Sequence, residues 1–174
     1  MALWYNFVIK ANNQWCAHYF AEKYNGLILP FSPIDHSLEI KEYFRVKAFS
    51  KNLEQDEPLR KDEWWAGIAS GELSRSGIAS LEEAGKVDQF DNFVYGMLRN
   101  ERHFEYVLSG VEVPKFSKED LKAMLQTGNC NGLEGLVVSK ELYPELGQLP
   151  IFTEFNQTHL WIAKPFNFYM KSKM

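Results

Sequence analysis

LWYNFVIKA, residues 3–11, is the stretch that determines the predicted fold. Aromatic and β-branched residues dominate it, which is typical of a β-strand. One face would carry Leu3, Tyr5, Phe7 and Ile9, and the other Trp4 and Val8. Because apolar residues occupy both faces, we expect a central strand that is covered on both sides.

The segment that follows, residues 15–24, is open to two interpretations. Its aromatic residues recur at helical spacing, Asn13 is a suitable N-cap, and Gly26 is placed to end a helix. The same aromatic residues would also suit a strand that follows a hairpin turn at Asn12-Asn13. The sequence favours the helix.

Helix starts are marked at two further places. Ser80 and Glu83 have the spacing of a capping box, and an apolar stripe follows from Phe90 to Leu98. Ser117 is an N-cap for a second helix that we expect to end at Gly128. A third helix, beginning near Pro58, would carry Trp64, Trp65 and Ile68 on one stripe, with a glycine- and serine-rich loop over residues 70–79.

Several short apolar or alternating segments predict the other strands. They are residues 27–29, 38–48 (one bent strand or two), 104–108, 136–138, 151–155 and 160–163. Adjacent strands of this kind argue against a regular α/β fold. We therefore predict an α+β fold, with a mainly antiparallel sheet of about five to seven strands and three or four helices packed on one face. Residues 1–174 are expected to form a single globular domain.

Composition limits the classes of function. The chain has 174 residues, 45% of them hydrophobic, and a net charge of −4. A weakly acidic chain has no global field that attracts phosphates, so no nucleic acid partner is expected. No stretch has the ~20 apolar residues of a membrane span, so no membrane association is expected. Cys16 and Cys130 are too few for a disulfide framework or a metal set, which favours a cytoplasmic protein with no metal and no cofactor.

Aromatic residues make up 15% of the chain, more than we expect one interior to need. Trp and Tyr dominate interface hot spots, and residues 54–91 are rich in acidic side chains. The first hypothesis is therefore a soluble cytoplasmic module that binds a protein partner by contact without turnover, as an inhibitor, antagonist or immunity protein does. The candidate anchors are Trp64 and Trp65, with Asp62 and Glu63 as the acidic rim.

Two alternatives remain. The chain could be a small enzyme or ligand-binding domain whose site lies in a cleft beside the sheet, with aromatic walls. The polar groups proposed for that site are His18, His103, Glu105 and His159. It could instead be a structural subunit of a homo-oligomer that buries the apolar excess by self-association.

Overall fold

The predicted N-terminal strand lies in the middle of an antiparallel sheet. The computed structural model describes residues 5–31, 42–52, 63–73, 78, 80–127, 132–165 and 168–171. The strands are β1 (Tyr5–Ala11), β2 (Ile28–Phe31), β3 (Glu42–Asn52), β4 (Trp64–Ser70), β5 (Phe104–Val111), β6 (Val137–Ser139), β7 (Thr153–Glu154) and β8 (His159–Trp161). Their order across the sheet is β2-β3-β4-β1-β5-β6-β8-β7.

The α+β class and the antiparallel sheet are confirmed, and the sheet has eight strands instead of five to seven. The helices are α1 (Gln14–Tyr24), α2 (Leu81–Leu98), α3 (Lys118–Gln126) and the single turn α4 (Phe168–Lys171). Short 3₁₀ turns lie at Gly71–Leu73 and Tyr143–Leu146. None of the helices in the described ranges is long and apolar enough to cross a membrane.

The strand that the sequence missed is β4. Trp64 and Trp65 begin this strand and do not lie on a helix. The run from Trp65 to Ser70 is buried throughout, between β3 and β1. A short apolar run that is buried on both faces has no period that separates a strand from a helix, which is why the prediction was wrong.

Helices α1 and α2 cover one face of the sheet. The Asn13 side-chain oxygen accepts a hydrogen bond from the Cys16 N–H (2.9 Å), so the helical interpretation of residues 15–24 is confirmed. Helix α2 begins with the predicted capping box of Ser80 and Glu83. On this face Phe7 and Ile9 of β1 pack with rings and aliphatic groups of both helices in one core.

Helix α3 lies on the opposite face, whereas the sequence placed all helices on one face. Leu121 and Leu125 pack there against Val8 and Tyr106 in a second core. The second face of the sheet is itself apolar over β1 and β5, so burying it requires a layer of its own. The predicted cap of α3 is present, since the Ser117 hydroxyl accepts a hydrogen bond from the Asp120 N–H (3.0 Å).

Candidate functional site

A buried ion pair joins α2 to the segment that follows β8. Asp91 lies on α2, and the Nζ of Lys164 donates a hydrogen bond to its Oδ2. The Asp91 and Lys164 side chains are only 5% and 6% exposed. Removing two charges from water is unfavourable, so a buried pair of this kind is a weak source of stability and points to another role.

Tyrosine and serine hydroxyls surround this pair. Lys164 Nζ also donates to the Tyr5 hydroxyl (3.2 Å), to Ser109 Oγ (3.2 Å) and to the Tyr169 hydroxyl (3.1 Å). The Tyr5 hydroxyl in turn donates to Asp91 Oδ1. We call the set of Tyr5, Asp91, Tyr95, Ser109, Lys164 and Tyr169 the Asp91–Lys164 network. Its members come from both central strands, from α2 and from the C-terminal segment.

Tyr95 completes the network from the next turn of α2. Its hydroxyl lies 2.8 Å from Ser109 Oγ and donates to the carbonyl oxygen of Gly135 (2.7 Å). Gly135 has a φ of 90°, and a Cβ there would lie 2.2 Å from the Tyr95 hydroxyl oxygen. Position 135 therefore requires glycine, both for its backbone conformation and for the approach of the tyrosine.

Burial keeps the hydroxyls of this network protonated. The pKa values of Tyr5 and Tyr95 are raised well above the usual range, mainly by burial and further by the nearby Asp91 carboxylate. Burial also raises the pKa of Asp91, and the Lys164 ammonium opposes that rise. The tyrosines therefore act as neutral hydrogen-bonding groups in fixed positions.

A cleft of about 130 Å³ opens beside the network. One wall is a face of α2, since its lining residues recur at helical spacing, and the other is the segment after β8. The lining residues are Asp91, Asn92, Tyr95, Gly96, Arg99, Trp161, Lys164 and Pro165. Nothing lies within 4 Å of where a Cβ of Gly96 would be, so the helix is open to the cleft at this position.

Arg99 sits at the exposed end of the cleft. Its guanidinium carbon lies 4.7 Å from the centre of the Phe155 ring and 5.1 Å from that of Trp161, which holds the side chain by cation–π contacts. Its Nη1 donates to the Phe155 carbonyl oxygen. No other hydrogen bond from this guanidinium reaches a residue in the described ranges, so N–H groups remain for a ligand.

The histidines proposed from sequence do not form a common site. His159 is buried, stacks on Phe104 (4.0 Å between ring centres), and its Nε2 lies 2.9 Å from the Phe104 carbonyl oxygen. Burial lowers the pKa of His159. His18 is exposed on α1, with its Nδ1 2.8 Å from Ser50 Oγ and its ring 5.4 Å from that of Trp64.

The other two members of that set lie elsewhere again. His103 is exposed beside Trp15, whereas Glu105 pairs with Lys10 (3.7 Å). Across the described ranges, no hydrogen bond, ion pair or ring contact joins any two of His18, His103, Glu105 and His159. The same part of the chain contains no group of three or more His, Cys, Asp or Glu side chains suited to a metal ion.

The predicted aromatic anchors divide between the interior and the surface. Trp65 is 2% exposed and belongs to the second core, so it is not accessible to a partner in this structure. Trp64 is half-buried against α1. Glu63 is half-buried, and its Oε2 accepts from the Trp65 indole N–H (3.4 Å). Asp62 lies outside the described residues.

An exposed aromatic group is found instead on α1. Trp15 is 62% exposed and stacks on Tyr19, with ring centres 5.5 Å apart and planes 17° apart. The His103 ring meets Trp15 edge-on at 5.7 Å. We call Trp15, Tyr19 and His103 the Trp15 patch. Its ring stacking holds the indole in place before any partner arrives.

One member of the Asp91–Lys164 network could have been recognised from the sequence. Asp91 lies within the apolar stripe of α2, next to Phe90 and three residues before Val94. A carboxylate on the buried side of an amphipathic helix requires a partner. Its partner, 73 positions later, could not be identified from spacing alone.

Comparisons with known proteins add no assignment. No protein family, curated protein or solved structure matches this chain.

Proposed function

We propose that this protein is a ligand-binding domain whose cleft takes a small organic anion. The observation that carries the proposal is the position of Arg99, at the mouth of a cleft whose inner wall is the Asp91–Lys164 network. A concave site with aromatic walls and a few fixed polar groups is the usual form of a small-molecule site. This agrees with the cleft alternative drawn from the sequence, with different residues in place of the histidines.

Charge determines the class of ligand. Asp91 and Lys164 neutralise each other, so the residues that line the cleft carry one net positive charge, that of Arg99. Its planar guanidinium favours carboxylate, which it can bind with two parallel hydrogen bonds. The exposed amide of Asn92 offers a further donor on the same face of α2.

Size limits the ligand to a small one. The cleft volume of about 130 Å³ is well below the roughly 300–1,000 Å³ of pockets that hold drug-sized ligands. The rings of Tyr95 and Trp161 supply an apolar wall for the rest of the ligand. A short aliphatic or a monocyclic carboxylic acid meets both requirements.

A thermal-shift screen tests this proposal. Small carboxylic acids and their neutral amides are added to the wild type and to Gly96→Leu, whose side chain would fill the cleft. An acid at about one hundred times its Kd should stabilise the wild type by about 2.7 kcal/mol, and its amide should stabilise it much less. Gly96→Leu should fold at least as well, because glycine disfavours a helix interior, and should not respond.

The matched control is Ala123→Leu, which adds an exposed leucine to α3 away from the cleft. It should respond to the acid as the wild type does. The proposal fails if no acid stabilises the wild type, if the amides act equally well, or if Gly96→Leu responds in full.

A second candidate function is binding of a protein partner by contact, as an inhibitor or immunity protein does. The exposed and stacked Trp15 favours it, because rigid tryptophans are frequent hot spots. Affinity capture from the native host should recover a partner with the wild type and with Trp64→Ala, and lose it with Trp15→Ala. Recovery with Trp15→Ala would exclude the Trp15 patch.

We also propose that the protein is cytoplasmic and that it associates with itself. The free, buried thiol of Cys16 is compatible with a reducing compartment. Light scattering tests self-association: a wild-type dimer that becomes a monomer in Trp15→Ala would make the Trp15 patch a homo-oligomer interface.

A further inference from the structure

Strand β3 has two different faces. Phe44 and Val46 point into the first core under α1 and α2. Arg45, which lies between them, and Lys47, which follows Val46, point to the opposite side and are exposed, and Phe49 continues this alternation. We call Arg45, Lys47, Phe49 and Lys51 the β3 row.

Phe49 lies against the sheet over a glycine. Gly67 pairs with Phe49 across β3 and β4, and a Cβ at position 67 would lie 2.3 Å from the Cζ of that ring. The ring therefore leans over the β4 backbone in space that any other residue would occupy. The Phe49 side chain nevertheless remains 50% exposed. The glycine thus seats an accessible aromatic ring on the open part of the sheet.

Apolar residues on the neighbouring strands lie on both sides of Phe49. Gly67 pairs onward with Val8 of β1, and Val8 with Leu108 of β5, both of which belong to the second core. At the outer edge, Ile28 of β2 is 58% exposed and lies directly opposite Arg45. Among the described residues, the β3 row therefore lies between the edge strand β2 and the core under α3, with Arg45, Lys47 and Phe49 exposed.

The row is cationic in its middle part. Within the described ranges neither Arg45 nor Lys47 has a carboxylate oxygen within ion-pair distance of its charged group. Arg45 is nevertheless close enough to Glu72 that, together with a hydrogen bond from Ser70, its charge helps to lower the pKa of that carboxyl. Among the described residues, two carboxylates flank the row at the ends of β4, and each accepts a hydrogen bond from a neighbouring donor. Glu63 accepts from the Trp65 indole (3.4 Å), and Glu72 accepts from the Arg45 backbone N–H (3.3 Å).

We infer that the β3 row binds single-stranded nucleic acid. Phe49 stacks on a base, and Arg45 and Lys47 contact two successive phosphates. Alternate residues of a strand are about 6.8 Å apart, so cations on one face can follow an extended backbone. A basic track with an exposed aromatic ring is the arrangement that binds single strands without sequence preference.

The local arrangement outweighs the net charge of the chain. A net charge of −4 led us to expect no nucleic acid partner. Screening confines electrostatic attraction to about 8–10 Å at physiological salt, so the charges beside the ligand decide. An acidic peptide would also meet the cations, but it has no base to stack on Phe49. We therefore choose the nucleic acid.

Fluorescence anisotropy with a labelled oligothymidylate tests the inference. The wild type should bind with a salt dependence of about −1.4 in log K against log salt, from two phosphate contacts at about −0.7 each. Phe49→Leu, which keeps an apolar cover on Gly67, should weaken binding about fivefold or more, and Phe49→Tyr should retain it. Lys47→Gln should reduce the salt slope by about 0.7.

Lys122→Gln, which removes an exposed charge from α3, is the control and should bind as the wild type does. Circular dichroism shows whether each variant is folded. If Phe49→Leu disturbs the sheet, the salt slope of Lys47→Gln still tests the inference, because Lys47 is exposed. The inference is overturned if the oligonucleotide does not bind, if polyglutamate binds in its place, if folded Phe49→Leu equals the wild type, or if Lys47→Gln and Lys122→Gln have the same effect.

Discussion

Lys164 is the residue on which the buried polar network depends. Its three ammonium N–H groups are shared among four acceptors within hydrogen-bond distance, on Asp91, Tyr5, Ser109 and Tyr169, which belong to four different elements. Each acceptor is removed from bulk water, so each relies on this donor for part of its hydrogen bonding. The side chain therefore couples the C-terminal segment to the centre of the sheet.

Replacing Lys164 should destabilise the fold strongly. Lys164→Met leaves the Asp91 carboxylate buried without its cation, which costs about 3–5 kcal/mol in such pairs. Urea unfolding measures the loss. The double variant Asp91→Asn with Lys164→Met should recover part of it, because no buried charge then remains. A loss of less than about 1 kcal/mol in Lys164→Met would show that the pair is accessible to water.

His159 should make stability depend on pH. Its folded-state pKa is lowered by burial, so the unfolded chain binds the proton more tightly. Stability is therefore complete above the unfolded pKa of about 6.5 and falls as the pH drops below it, by at most about 1.4 kcal/mol per pH unit. Unfolding curves between pH 7.5 and pH 5 measure this slope. His159→Gln should show a shallower slope, and an unchanged slope would contradict the assignment.

Helix caps are the elements that the sequence predicted best. The N-caps at Asn13, Ser80 and Ser117 are all present, because a cap depends on residues only three positions apart. Local chemistry of this kind can be identified without knowledge of the fold. Helix α2 is the element that matters most here, since it carries Asp91 and Tyr95 into the cleft and ends at the C-cap residue Arg99.

Removing the cap of α2 should reduce stability without closing the cleft. Ser80→Ala deprives the Glu83 N–H of its acceptor and should cost about 1 kcal/mol. Thermal unfolding measures this loss. Ser80→Asp, which can still accept the hydrogen bond, is the control and should stay near the wild type. Equal stability of Ser80→Ala and the wild type would mean that the first turn of α2 does not contribute.

Strand β4 shows where local pattern fails. Its identity depends on β3 and β1, which pair with it from both sides. Gly67 has its role through Phe49 on the neighbouring strand. Neither relation is visible within the segment, so only tertiary pairing distinguishes this strand from a helix.

At the scale of the whole molecule, the candidate site is assembled from distant parts of the chain. Asp91 was visible as a buried carboxylate in a helix, but Lys164 is 73 positions away and Tyr5 is 86. Three histidines (His18, His103 and His159) and Glu105 were chosen by residue type, and the fold separates them. Residue chemistry suggested a site in a cleft beside the sheet, but none of the residues chosen for it lines the cleft beside the Asp91–Lys164 network.

The C-terminal segment should be required for the fold. Truncation after Ala163 removes Lys164 and Tyr169 together and leaves Asp91 and Tyr5 without those partners. We expect the urea midpoint to fall, with a loss at least as large as that of Lys164→Met. Truncation after Lys171 keeps both side chains and should leave the midpoint near the wild-type value. Equal midpoints of the two truncated proteins would show that the network does not hold this segment.

The most direct test of the proposed function is to locate the ligand by NMR. An acid that stabilises the protein is titrated into ¹⁵N-labelled wild type, and shifts of amide and indole signals are followed. We predict that the largest changes fall on Asn92, Gly96, Arg99 and the Trp161 indole N–H. Shifts confined to Trp15, to the β3 row or to no signal at all would contradict binding in the cleft.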